Sequence, residues 1–245
     1  MNRSSQLGII MVTALFCAPA LLIAQRPTQT PDSADRGIAA AADAEMSEMD
    51  MHADPHMFMT SPRPANPADS ARAARLVIEI RADLARYKNV DVARAAGFKE
   101  FLPNIPQPVY HFTNRSWALD EAFRFDPAKP SSLLYRRNAD GSFTLVGAMY
   151  TEPRRASEAD LDKRIPLSVT HWHQHVNWCI PKAGDLASWR DSTNGKPVFG
   201  PRSPIATAAA CDAVGGRFLP HIFGWMVHAN VFVSDDPAVI WGHTM

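Results

Sequence analysis

The stretch THWHQHVNW, residues 170–178, places three histidines at two-residue intervals: His171, His173 and His175. Because alternate side chains of a β-strand point to the same face, this spacing predicts a strand with one imidazole-bearing face. Adjacent imidazoles on that face would stand about 6.6 Å apart, close enough to share an ion, whereas the outer pair would be about 13 Å apart. The stretch therefore predicts two metal ligands, and other strands must supply the rest. The alternative is that the three histidines are polar side chains on one solvent-exposed face of the strand.

Two further histidines lie in apolar segments with strand character, His111 in VYHFTN and His228 in FGWMVHAN. Both are expected on the core side of a strand, where a hydrogen bond would satisfy them as well as a metal would. Trp172 and Trp178 are expected to form an apolar surface that excludes water, on the face opposite the central histidines. The predicted metal ligands are His111, His173, His175 and His228. Second-rank candidates, as further ligands or as groups that orient the ligands, are His171, Glu152 and Asn177.

A methionine-rich segment, MSEMDMHADPHMFM, occupies residues 46–59. Thioethers are soft ligands that suit Cu(I), and imidazole accepts copper or zinc. Residues 31–60 carry seven acids and one arginine and lack periodic apolar residues, which predicts a disordered linker. The segment is expected to capture metal, although linker composition alone would also explain it. Its candidate ligands are Met46, Met49, Met51, His52, His56, Met57 and Met59.

The N-terminus has the layout of a secretory signal peptide, in which Arg3 precedes an uncharged apolar run over residues 7–23. An uncleaved membrane anchor is the alternative, because the run is just long enough to span a bilayer. We expect a signal peptide at residues 1–24, a disordered linker at 25–67 and one globular domain at 68–245. The mature protein would be exported, to the periplasm or beyond, with no membrane contact after signal cleavage.

Two cysteines, Cys179 and Cys211, would remain after cleavage. An even number of cysteines in an exported chain favours a disulfide. The alternative is that Cys179, four residues after His175, is a copper or zinc ligand.

The remaining pattern predicts an α+β fold, with N-terminal helices packed on a mainly antiparallel β-sheet or small barrel. Leu76, Val77, Ile80 and Leu84 follow helical spacing. Further along the chain, SSLLYRR and SFTLVGAMYT flank an Asp-Gly pair, which is a hairpin signal. Helices followed by strands favour the α+β class over alternating α/β units.

Charge and motifs exclude several classes of function. Residues 61–245 carry 22 basic and 18 acidic residues, which is not basic enough to indicate nucleic-acid binding. The sequence has no GxSxG elbow, P-loop, HExxH helix, CxxCH haem site or GxGxxG turn. Neither Cys179 nor Cys211 is followed by the His and Met ligands of a blue-copper site.

The segments VYHFTN, SLLY, LVGAMYT, WHQHVNWC and FGWMVH resemble a family of uncharacterised exported bacterial proteins. The resemblance covers most of the chain from about residue 56 onward. It implies export and one domain, and it ranks His111, His173, His175 and His228 above His171. It implies no activity. From the chemistry of the residues we expect an exported protein that binds one transition-metal ion, copper in preference to zinc. The alternatives are a metal-dependent hydrolase or oxidoreductase at the same histidines, and a structural or interaction module without metal.

Overall fold

The computed structural model describes residues 54–101, 103, 107–185 and 187–242. The strands are β1 (Met57–Met59), β2 (Lys99–Glu100), β3 (Tyr110–Thr113), β4 (Ser132–Arg137), β5 (Phe143–Glu152), β6 (His173–Ile180), β7 (Ser192–Thr193), β8 (Lys196–Pro197), β9 (Arg217–His221) and β10 (Trp225–Ala229). The helices are α1 (Pro67–Leu84), α2 (Val90–Ala95), α3 (Arg115–Glu121), α4 (Glu158–Arg164), α5 (Ala208–Ala213) and α6 (Pro237–Ile240), with 3-10 turns at Ala85–Lys88 and Ser188–Arg190. The predicted signal peptide lies outside the described residues.

Eight strands form one sheet in the order β1-β6-β10-β5-β4-β3-β2, and β9 pairs with the second half of β6. Every pairing in this sheet is antiparallel. The predicted α+β class with a mainly antiparallel sheet is therefore confirmed. Strand β6, which carries the central histidines, pairs with β1 and β10 at its start and with β9 along its second half. Among the described residues, no helix combines the length and the apolarity needed to cross a membrane.

The main hydrophobic cluster combines residues of α1 with residues of one face of the sheet. Val77, Ile80 and Leu84 of α1 belong to it, as do Tyr150 of β5 and Val227 of β10. Their helical and alternating spacings place these side chains on one stripe of the helix and one face of each strand. The main hydrophobic cluster thus covers one face of the sheet. The central histidines lie on the opposite face.

The folded domain begins earlier than the predicted boundary at residue 68. Strand β1 pairs with the start of β6, so that Met57 lies opposite His175 and Met59 lies opposite His173. The prediction that residues 25–67 are a disordered linker is therefore wrong at its C-terminal end. The physical reason is the apolar triplet MFM at residues 57–59, which can add a short strand to a sheet edge despite its acidic surroundings.

The predicted disulfide is confirmed. Cys179 and Cys211 are bonded, with an S–S distance of 2.00 Å and a Cα–Cα distance of 5.4 Å. Both side chains are fully buried, in a small cluster that includes Phe199. The bond joins the end of β6 to α5, and it removes Cys179 from the possible metal ligands.

Reduction of this disulfide is expected to lower the free energy of unfolding. The bond closes a loop of 32 residues, for which the chain-entropy account gives about 3 to 4 kcal/mol. Urea unfolding with and without a reductant measures the difference, and thiol titration of the unfolded, unreduced protein counts free cysteines. Equal unfolding midpoints under the two conditions, or two free thiols, would contradict the expectation.

A buried carboxyl group lies where α3 meets β5. Glu121 is 2% exposed, and its Oε2 accepts hydrogen bonds from the backbone N–H and the hydroxyl of Thr151, both at 2.9 Å. Burial raises the pKa of Glu121 to about 8, against the lowering effect of these hydrogen bonds. At neutral pH the group is therefore largely protonated in the folded protein and ionised in the unfolded chain.

The substitution Glu121→Gln is expected to flatten the pH dependence of stability. The folded pKa of about 8 exceeds the ordinary value of 4.5, so the folded state holds an extra proton between these pH values. Wild-type stability therefore falls as pH rises through this window, by on the order of 5 kcal/mol from this group. Glutamine is uncharged throughout and keeps an acceptor for Thr151.

Urea unfolding at pH 5 and pH 8.5 tests this expectation. The stability of Glu121→Gln relative to wild type should rise from pH 5 to pH 8.5. Glu79→Gln is the control, because Glu79 is exposed, and its stability should change with pH as that of the wild type does. Parallel pH profiles for wild type and Glu121→Gln would contradict the assignment.

Candidate metal site

Four histidine rings from three strands form a chain of three successive ring contacts, which we call the row. The ring centroids are 5.6 Å apart for His111 and His228, 5.3 Å for His228 and His173, and 5.5 Å for His173 and His175. An imidazole whose nitrogen lies about 2.1 Å from a metal has its centroid about 3.2 Å from it, so two such rings at a tetrahedral angle are about 5.2 Å apart. The spacing of neighbouring rings is therefore close to that of imidazoles that share an ion.

Strand register explains how β6 and β10 contribute to this row. His173 lies directly opposite Met226 across the β6–β10 pairing, and residues directly opposite each other in a sheet share a face. His228 is two residues from Met226 along β10, and His175 is two residues from His173 along β6. Alternation therefore puts His173, His175 and His228 on one face, which we call the histidine face.

Strand register also places His111 of β3 on the histidine face. His228 lies opposite Met149 of β5, and Met149 lies opposite Ser132 of β4. Ser132 in turn lies opposite Thr113, which is two residues from His111 on β3. His111 thus projects from the histidine face, and its ring contact with His228 agrees with this placement. All four first-rank predicted residues are brought together.

Burial controls the charge of the imidazoles in this row. His173 is 0% exposed and His228 is 3% exposed. Burial lowers the pKa of His111 to about 4, and a charge on His175 would lower it further. Burial likewise lowers the pKa of His175 to about 4, although the Asp54 carboxylate opposes this shift. Both imidazoles are neutral at neutral pH, so they can bind a metal without first losing a proton.

The side chains as they stand do not enclose an ion. Among the described residues, no group of three or more His, Cys, Asp or Glu side chains is arranged to hold a metal. Neighbouring rings of the row are inclined to each other by 53°, 71° and 84°. Metal binding would require the rings to rotate until their nitrogens converge. The donor set itself fits, because neutral imidazoles suit copper and zinc.

Two of the second-rank candidates are engaged elsewhere. His171 precedes β6, and its Nδ1 donates a hydrogen bond of 3.0 Å to the carbonyl of Thr60. Glu152 lies opposite Trp225, a neighbour of Met226 along β10, and alternation therefore puts Glu152 on the face away from the row. Its carboxylate forms an ion pair with Arg164. Neither prediction gains support from the geometry.

Asn177, the third of these candidates, has an unusual backbone conformation within β6. Its φ of 57° is in the left-handed region, which asparagine adopts more readily than most residues. Its Nδ2 donates a 2.9 Å hydrogen bond to the carbonyl of Pro55. The next residue, Trp178, contacts His175, with ring centroids 5.3 Å apart. The expectation that Trp178 lies on the face opposite the histidines is therefore wrong.

The methionine-rich segment is only partly described. Met46, Met49, Met51 and His52 lie outside the described residues. His56 is buried, and its Nε2 donates a 2.5 Å hydrogen bond to the carbonyl of Ser203. The carbonyl of His56 accepts a hydrogen bond from Val176, so this residue anchors the segment to the domain. Met57 and Met59, by contrast, lie in β1 beside the histidines of β6.

Two cavities lie elsewhere in the domain. One, of about 290 Å³, is lined by residues of α3 and the turn that follows it, including Trp117, Glu121 and Lys129. The other, of about 440 Å³, lies beside β7 and β8 and is lined by residues such as Val198 and Ile205. Neither is lined by a histidine of the row. The enzyme alternative would need a cleft beside these histidines, and these two cavities do not supply it.

The chain matches no protein-family model, no curated protein and no solved structure. Its function is therefore inferred from the arrangement of its own side chains. The resemblance of its motifs to exported bacterial proteins stays a prediction.

Proposed function

We propose that the protein is an exported metal-binding protein. It holds one transition-metal ion, copper in preference to zinc, through His111, His173, His175 and His228. The observation that supports this proposal is the row of four imidazoles from β3, β6 and β10, with neighbouring centroids 5.3 to 5.6 Å apart.

The chemistry of the donors supports copper or zinc over harder ions. Imidazole nitrogens suit copper and zinc, whereas magnesium and calcium prefer oxygen ligands. Among divalent ions, copper binds nitrogen sites more tightly than zinc does. The low pKa of His111 and of His175, which follows from burial, keeps both side chains in the metal-binding form at neutral pH.

Export is part of the same proposal. The bond between Cys179 and Cys211 is a structural disulfide in the core of the domain. Such bonds form and persist in oxidising compartments and are rare in the cytosol of mesophiles. The disulfide supports a periplasmic or secreted location for the mature chain.

Metal analysis of the purified mature protein tests the proposal. The protein is stripped with a chelator, incubated separately with copper and with zinc, desalted and measured by elemental analysis. We expect close to one ion per chain and a higher melting temperature with metal than with chelator, because the ion binds only the folded state. Less than about 0.1 equivalent of every transition metal would contradict the proposal. An unchanged melting temperature in chelator would favour a structural module without metal.

A further inference from the structure

Methionines lie directly opposite three of the four histidines of the row. The register pairs are Met57 with His175, Met59 with His173, Met226 with His173, and Met149 with His228. Side chains directly opposite each other share a face, with Cβ atoms about 5 Å apart. The histidine face therefore carries four thioethers among its imidazoles, and His173 has one on each side.

Packing against the apolar core explains only one of these methionines. Met149 packs against the small cluster of Val109, Leu134 and Val146. Met57, Met59 and Met226 belong to none of the three hydrophobic clusters formed by the described residues. Met226 is nevertheless only 5% exposed.

Met57, Met59 and Met226 therefore lie beside imidazoles rather than within an apolar cluster. The methionine side chain is unbranched and has three rotatable bonds, so its sulfur can adapt to a neighbouring site. Thioether sulfur is a soft donor that favours Cu(I), while zinc prefers imidazole, thiolate and carboxylate.

We infer that thioether sulfurs from Met57, Met59 and Met226 replace some of the imidazoles as ligands when the ion is Cu(I), which makes the site a mixed nitrogen–sulfur site of at most four ligands that is selective for Cu(I) over Zn(II). This inference rests on the proposed function, because it concerns the same ion and the same face. It also gives β1 a role: the short edge strand brings two thioethers to the histidines of β6.

Leucine substitutions test the inference without removing the strand. Met→Leu nearly conserves volume and is well tolerated in folded proteins. The variants are the double substitution Met57→Leu/Met59→Leu and the single substitution Met226→Leu. Phe58→Leu is the matched control, because Phe58 lies between the two methionines on β1 but contacts Trp225 on the other face.

Cu(I) affinity is measured without oxygen by competition with a chromophoric Cu(I) chelator, and Zn(II) affinity by competition with a zinc indicator. We expect the double variant to bind Cu(I) at least about 10-fold more weakly than wild type, with its Zn(II) affinity little changed. Met226→Leu should weaken Cu(I) binding in the same direction, and Phe58→Leu should resemble wild type for both ions. The copper X-ray absorption spectrum should contain sulfur scatterers that decrease in the methionine variants.

Undiminished Cu(I) affinity in both methionine variants would overturn the inference while leaving the proposed function intact. Equal losses of Cu(I) and Zn(II) binding in the double variant would also overturn it, because they would indicate a purely structural role for β1. If the wild-type protein binds neither ion, the result would instead contradict the proposed function itself.

Discussion

Replacing His173 or His228 with alanine is expected to weaken metal binding by about 100-fold or more, because each removes an imidazole from the middle of the row. His173 neighbours the rings of both His175 and His228, and His228 neighbours those of both His173 and His111. Loss of either ring removes two of the three ring contacts of the row. Loss of His111 or His175, each of which makes only one of the three ring contacts of the row, leaves three rings in contact and is expected to cost less.

Competition titrations of each alanine variant with zinc and copper measure this order of effects. His221→Ala is the matched control, because His221 is exposed on β9 and is not part of the row. Circular dichroism in chelator establishes that each variant is folded before metal is added. Affinities for His173→Ala and His228→Ala that equal that of His221→Ala would contradict the assignment of the row as ligands.

The largest loss of stability is expected from Trp172→Ala. Trp172 is fully buried in the main hydrophobic cluster, and its indole N–H donates a 3.4 Å hydrogen bond to the carbonyl of Ile165. Removal of a buried indole leaves a large cavity and costs about 3 to 5 kcal/mol. Because Trp172 immediately precedes His173, the loss also loosens the start of β6 and should lower metal affinity.

Urea unfolding in the presence of chelator isolates the effect of Trp172→Ala on stability from its effect on metal binding. Trp189→Ala is the control for the loss of an indole, because Trp189 is 38% exposed. We expect the control to cost about 1 kcal/mol or less. Similar unfolding free energies for the two variants would mean that Trp172 does not anchor β6 to the core.

The sequence predicted the four first-rank histidines because their signal is local. Alternation within one strand places His173 and His175 on one face, and apolar flanking residues mark His111 and His228 as buried. The row itself depends on the pairing of β6 with β10 at His173 and Met226. Such a pairing joins segments more than 50 residues apart, and hydrophobic periodicity carries no information about it.

The same limit explains the predictions that the structure does not support. Glu152 belongs to a strand that is apolar on both faces, so the sequence alone does not reveal which face it occupies. The ring contact of Trp178 with His175, beside the left-handed Asn177, does not follow from strict alternation along β6. Strand β1 is not predicted from the sequence because the apolar triplet MFM is short and lies in acidic, methionine-rich surroundings.

Anomalous diffraction from crystals of the metal-loaded protein, recorded at the copper and zinc absorption edges, tests the central claim most directly. We predict one strong anomalous peak within about 2.1 Å of imidazole nitrogens from at least three of the four histidines. Those histidines are His111, His173, His175 and His228. No anomalous peak on the histidine face, or a peak bound only by other residues, would contradict the claim.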